Sequence, residues 1–141
     1  NCYSTGSVSG DENIGGFCGK VFYADIINCH SVGYTSGSQS IGGFIGLNEG
    51  SCSCCFWNTQ TSQRNNAVGT GSNSGISGLN NSQYRNEISF SHCFVFPSIW
   101  VMSETMPILS NISIPTLTEW AAILFIGLLA GVGGWFVWRR M

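Results

Sequence analysis

NCYSTGSVSGDENIGGFCG, from Asn1 to Gly19, falls without gaps on NCHSVGYTSGSQSIGGFIG, from Asn28 to Gly46, at an offset of 27 residues. Eleven of the nineteen aligned positions are identical, among them Asn1/Asn28, Cys2/Cys29, Gly6/Gly33, Ile14/Ile41, Gly15/Gly42, Gly16/Gly43 and Phe17/Phe44. A third, degenerate copy starts near Cys54, where Cys55-Phe56-Trp57 replaces Cys2-Tyr3-Ser4. A fixed period in this range marks a stack of repeated units, each too small to bury its own apolar face.

The glycines decide what kind of unit. Gly6, Gly10, Gly15, Gly16 and Gly19 would each weaken a helix by about 1 kcal/mol relative to alanine, which excludes helical repeats. What remains are short extended pieces around Cys2 to Ser4, Ser7 to Ser9 and Ile14 to Phe17, separated by glycines suited to positive-φ corners. The expected fold is therefore all-β, a parallel β-solenoid (β-helix) of either hand with a C-terminal cap. In it Cys2 lies over Cys29, and Ile14 and Phe17 lie over Ile41 and Phe44, so these six residues are the expected repeat core. Residues 1–53 read as the array, 54–109 as a degenerate last coil and cap, 110–113 as a linker and 114–141 as a separate tail. Asn80, Asn81 and Ser82 favour a helix start, which places one short helix in the cap. The first coil of such an array is a bare sheet edge. Asn1, with neither an initiator Met nor a signal-peptide pattern, reads as the start of a fragment.

The tail carries Trp120 to Trp138, nineteen residues without charge between Glu119 and Arg139-Arg140. At about 1.5 Å per residue it is long enough, as a helix, for the ~30 Å hydrocarbon layer. The expectation is one transmembrane helix over 120–138. Arg139 and Arg140 orient it with their end cytoplasmic and residues 1–118 exported.

Two resemblances follow from these residues. The units Asn1-Cys2-Tyr3-Ser4-Thr5-Gly6-Ser7-Val8-Ser9-Gly10 and Ile14-Gly15-Gly16-Phe17-Cys18-Gly19, with their second copy, resemble the GLUG-motif repeats of bacterial surface proteins, with Phe17 and Phe44 where Leu is usual. Cys55 to Ser62, Gly69-Thr70-Gly71, Ile99-Trp100 and Met106 to Leu109 are similar to the segment that ends such arrays. The tail, Ile114-Pro115-Thr116-Leu117-Thr118-Glu119-Trp120 followed by the apolar span and Arg139-Arg140, resembles the IPTL-type (IPTL-CTERM) C-terminal sorting signal, with Thr118 where Ser is usual. That resemblance implies recognition and cleavage by a membrane-embedded exosortase-like enzyme and delivery to the cell surface.

Chemistry is thinly supplied. Charged residues are 9% of the chain and net charge is −2, which speaks against nucleic-acid binding because phosphates need a basic face. Seven cysteines (Cys2, Cys18, Cys29, Cys52, Cys54, Cys55 and Cys93) cannot all pair within one chain. Cys52-Ser53-Cys54-Cys55 offers soft ligands, but strand neighbours face opposite ways and no His completes a tetrahedral site, so no metal is expected. One disulfide plus small buried thiols is the simpler reading, although a Cys2–Cys29 bridge is also conceivable. His30 and His92 each adjoin a cysteine, yet no orienting partner accompanies either pair. Asp11 and Glu12 face Ser38 and Gln39 in the second copy, so no carboxylate site repeats.

No catalytic residue and no cofactor are expected, and the chain reads as a non-enzymatic, exported, adhesin-like structural protein. Its expected partners are the membrane, the sorting enzyme, and surface glycans or proteins. The competing class is a surface polysaccharide- or protein-degrading enzyme whose catalytic domain lies outside this chain.

Overall fold

The first copy is made of four strands, β1 (Cys2–Ser4), β2 (Val8–Ser9), β3 (Glu12–Gly15) and β4 (Cys18–Ile27). The second repeats them as β5 (Cys29–Ser31), β6 (Thr35–Ser36), β7 (Gln39–Gly42) and β8 (Ile45–Ser53). They are seen in a computed structural model that describes residues 1–110. The 27-residue offset is the pairing register itself. Cys2 pairs with Cys29, Val8 with Thr35, Ile14 with Ile41 and Cys18 with Ile45, all in parallel.

The register then slips by one. Phe22 faces Glu49, but Asp25 faces Ser51, so β4 carries one more residue than β8. The bulge falls at Tyr23, which takes φ 45° and is 92% exposed. A bulge absorbs an extra residue without breaking the ladder beyond it. The third copy accordingly follows at 26, with His30 on Phe56 and Ser31 on Trp57.

Corners fall at residues other than the glycines singled out for positive φ. Asn13 and Ser40 (φ 54° and 50°) are equivalent at 27, and Asn28 and Cys54 (φ 55° and 54°) are equivalent at 26. Asparagine tolerates this left-handed conformation better than most side chains, and it holds two of the four places. The repeat glycines are there because backbone presses on backbone. A Cβ on Gly15 would sit 2.6 Å from both Ile45 Cα and Phe44 O, and one on Gly16 would sit 2.5 Å from Gly43 O.

The third copy departs from the pattern after β9 (Cys55–Asn58). Asn58 accepts hydrogen bonds from the amides of Gln60 and Thr61 at 3.0 and 3.1 Å, capping a one-turn helix α1 (Thr59–Ser62) where a strand would otherwise follow. β10 (Val68–Gly71) then returns to pair with β8, and β11 (Ile76–Leu79) pairs with β9.

These facts correct the expected β-solenoid. Among the described residues the strands form five separate small sheets, β1-β5-β9-β11, β10-β8-β4, β2-β6, β3-β7 and an antiparallel pair, and no closed solenoid is formed. The β2-β6 and β3-β7 stacks stop at two strands because the third copy is helical or irregular where it would extend them. Among the described residues no helix is long and apolar enough to cross a membrane. The expected span 120–138 lies outside the described residues.

A cap follows the repeats. Helix α2 (Asn81–Tyr84) starts at Asn80, as the sequence predicts, through a capping box with Gln83. A 3-10 turn (Glu87–Phe90) and the antiparallel hairpin β12 (Trp100–Met102) and β13 (Pro107–Leu109) complete it. Two apolar cores result. One lies within the repeats around Val21, Cys29, Phe44, Ile45, Cys55, Trp57, Ala67 and Val68. The other joins the third copy to the cap through Phe56, Leu79, Tyr84, Phe90, Phe94 and Trp100. A Gly15→Ala substitution should lower the unfolding free energy by about 1–3 kcal/mol, the usual range for overpacking, read from the urea midpoint.

Candidate functional site

Strand β5 has two faces, and each carries one group that the sequence marks for chemistry. The pleat sends Cys29 into the repeat core and His30 into the aromatic core, so the two neighbours do not form a thiol–imidazole pair. His92 is exposed beside the bridged Cys93. Neither cysteine–histidine pair is assembled for nucleophilic attack.

The thiols lie along the stack. Cys29 Sγ donates to Ile27 O at 3.2 Å, Cys55 Sγ to Ile26 O at 3.3 Å, and Cys18 Sγ to Lys20 O at 3.2 Å. Cys52 Sγ accepts from Asn48 Nδ2 at 3.8 Å. Burial pushes the Cys55 thiol up to about 12 and raises those of Cys29 and Cys52. These three groups therefore stay protonated, whereas attack on an electrophile and metal ligation both need the thiolate. Among the described residues no group of three or more His, Cys, Asp or Glu side chains is placed to hold a metal ion.

One disulfide is present, Cys54–Cys93, with Cα atoms 5.3 Å apart. It ties the left-handed corner that opens the third copy to the cap. Cys2, Cys18, Cys29, Cys52 and Cys55 are free, so the conceivable Cys2–Cys29 bridge is not made although the two are register partners.

His30 is fully buried and stands at the centre of the aromatic core. Tyr3 stacks on it at 5.5 Å between ring centroids, and Trp100, Tyr84 and Phe94 close around it at 5.5, 5.6 and 6.0 Å. Its Nε2 lies 2.9 Å from Pro107 O. A carbonyl can only accept, so Nε2 carries the proton and donates, tying β5 to β13. Its Nδ1 has no hydrogen-bond partner among the described residues. Burial lowers the pKa to about 4, so the ring is neutral near pH 7. Tyr84 adds a second tie, donating from its hydroxyl to Ser31 O at 3.1 Å, and burial raises its pKa well above the usual phenol value.

The remaining expected site residues are placed as follows. Of the repeat core, Ile14, Cys29 and Phe44 are buried, Phe17 and Ile41 are half-buried, and Cys2 is exposed. Phe17 and Phe44 stack with ring centroids 4.9 Å apart. Asp11 and Glu12 are exposed, and Asp11 contributes its carbonyl, which accepts from the amides of Ser38 and Gln39. The sorting motif Ile114, Pro115, Thr116, Leu117, Thr118, Glu119 and Trp120, with Arg139 and Arg140, lies outside the described residues.

Sequence reasoning missed the aromatic box around His30. A signal for it existed in the crowding of Tyr84, Phe90, Phe94, Phe96 and Trp100 into seventeen residues. It also missed a half-open pocket of about 230 Å³ lined by Val32, Asn58, Thr61, Asn81, Arg85, Thr105 and Met106. Comparison with models of protein families, with curated proteins and with solved structures finds no match to this chain.

The buried imidazole makes stability depend on pH. Unfolded, His30 takes up a proton below its ordinary 6.5; folded, it stays neutral down to about 4. The unfolded chain holds the extra proton across that window, so this contribution is complete above pH 6.5 and is lost on acidification towards 4. The loss should approach about 3 kcal/mol, and a His30→Phe variant should lack that slope when urea midpoints are compared at pH 7 and pH 4.5. Separately, Cys93→Ala should cost about 2–4 kcal/mol in thermal or urea unfolding under non-reducing conditions.

Proposed function

We propose that this chain is a non-enzymatic, exported structural protein of a bacterial cell surface, adhesin-like, which is sorted and processed through an IPTL-type signal in residues 114–141. The observation that carries the sorting reading is the order of features in the tail. Ile114-Pro115-Thr116-Leu117-Thr118-Glu119-Trp120 precedes an uncharged run that ends at Trp138 and is closed by Arg139-Arg140. An exosortase-like enzyme is the partner this order calls for.

The structural reading is supported by how the polar groups are used. The buried histidine is spent on a backbone carbonyl, and the most buried thiols are held protonated. What the repeats offer to the outside is strand surface, which suits binding along a face to glycans or proteins. Export suits a chain that carries a disulfide, since such bonds persist in oxidising compartments.

Intact-mass analysis of the chain, expressed in a host that possesses an exosortase-type system, tests the proposal. The surface form should lack the residues beyond about Thr118, and replacing Pro115 by Ala should leave the tail attached. A surface form that retains Met141 in the unaltered chain contradicts it.

A further inference from the structure

Three segments far apart in the chain meet at the half-open pocket of about 230 Å³: helix α1 with its cap, the turn of α2 and the loop between β12 and β13. Asn81 and Arg85, four residues apart, fall on one side of the α2 turn. Thr61 comes from α1. Thr105 comes from the hairpin loop, where Ser103 Oγ accepts from the amides of Thr105 and Met106 at 3.4 and 3.1 Å. Val32 and Met106, both half-buried, supply apolar lining.

The hydrogen bonds already made fix which atoms are left for a ligand. Asn58 Oδ1 is taken by the amides of Gln60 and Thr61, so its Nδ2 does the donating, to Asn81 Oδ1 at 2.8 Å. With that oxygen occupied, Asn81 keeps its two Nδ2 protons. The hydroxyls of Thr61 and Thr105 engage nothing among the described residues, where only the backbone amides of these threonines donate. Arg85 differs from the other basic side chains of this region. Lys20 lies over the Phe22 ring and Arg64 donates twice to Thr35 O, whereas the Arg85 guanidinium has neither a hydrogen bond nor an ion pair among the described residues. No carboxylate is among the residues that line the pocket.

From these we infer that the pocket binds an acidic sugar, a hexuronate unit of a glycan, through its carboxylate. A guanidinium matches a carboxylate with two parallel N–H bonds, and Asn81 Nδ2 adds a neutral donor beside it. A pyranose ring presents an apolar C–H face, suited to Val32 and Met106. Its rim of hydroxyls suits threonine hydroxyls, which both donate and accept. The volume falls below the ~300–1,000 Å³ of sites for drug-sized ligands, so the pocket takes one sugar unit, and its open side lets a longer glycan continue outward. The inference rests on the reading that this chain meets glycans and not on the sorting of the tail, because an unsorted chain would bind the sugar equally.

NMR titration of the full isotope-labelled chain with methyl β-glucuronide, in a nonionic detergent free of sugar groups, tests this. Saturable shifts are expected at the Asn81 side-chain amide, the Arg85 Nε–H and the Thr105 backbone amide. Methyl β-glucoside carries CH2OH in place of the carboxylate, and acetate lacks the ring; each should bind about tenfold or more weakly. Asn81→Asp keeps the oxygen that accepts from Asn58 and replaces the donor by a negative charge. It should weaken glucuronide binding by about tenfold or more at an unchanged urea midpoint, and Arg85→Ala should weaken it to a similar degree.

Equal affinity for the glucuronide and the glucoside overturns the inference. So does equal affinity for acetate or inorganic phosphate, because ring and carboxylate are then not read together. Shifts that fail to saturate in the unaltered chain, or affinity that stays the same in either variant, overturn it too. Shifts confined to strand residues such as Val8 and Phe22 would put the sugar on the repeat surface, which overturns the pocket while leaving glycan binding in place.

Discussion

A carbonyl shared between two amides of the neighbouring copy holds the repeats together. Phe44 O receives Phe17 N at 2.9 Å and Cys18 N at 3.2 Å, and Ala67 O receives Phe44 N at 2.8 Å and Ile45 N at 3.0 Å. Such a contact requires the chain to come in with no side chain in the way, and that is what Gly15, Gly16, Gly42 and Gly43 provide. Once the corners are fixed, the residues next to them fall in register, and the one-residue slip comes only further along, at Tyr23. Phe17 lands on Phe44, Ile14 on Ile41 and Cys2 on Cys29. Parallel strands of two to four residues are poor structures alone, and β3 and β7 run directly into the shared-carbonyl corners that hold their register.

The cap solves a different problem. The third copy ends the sheets in helix α1 and strand β11, which leaves the outer face of β5 and β9 to be covered. Phe90, Phe94 and Trp100 cover it, Phe90 and Phe94 packing on Phe56 of β9 and Phe94 stacking on Trp100 at 4.3 Å. His30 in their midst is the only imidazole among the buried residues. Its single hydrogen bond to Pro107 O joins residues 77 positions apart, and the Cys54–Cys93 bridge adds a covalent tie over 39. Both ties run from the repeats to the cap, so the repeats and the closing segment are held as one folding unit.

Some of this is readable from the letters and some is not. The repeat offset, the extended pieces around Cys2 and Ile14, and the helix at Asn80 follow from identities and local propensities, which need only neighbouring residues. The one-residue slip at Tyr23 does not, because a bulge is a relation between two strands and leaves no mark on either one. Asn66-Ala67 stands in for a Gly-Phe corner with no shared letters, recognisable only by the hydrogen bonds it accepts. A continuous spring was expected from two good copies, but Asn58 and α1 interrupt it, and separate sheets result. The partner of Cys54 and the surroundings of His30 depend on how the cap folds back, which spacing along the chain does not encode.

The most direct measurement of the central claim is a through-hydrogen-bond scalar coupling in the isotope-labelled protein. Shared-carbonyl stacking predicts correlations from the amide nitrogens of Phe17 and Cys18 to the carbonyl carbon of Phe44, and from those of Phe44 and Ile45 to that of Ala67. Protected amides at these four residues that couple to carbonyls elsewhere would contradict it.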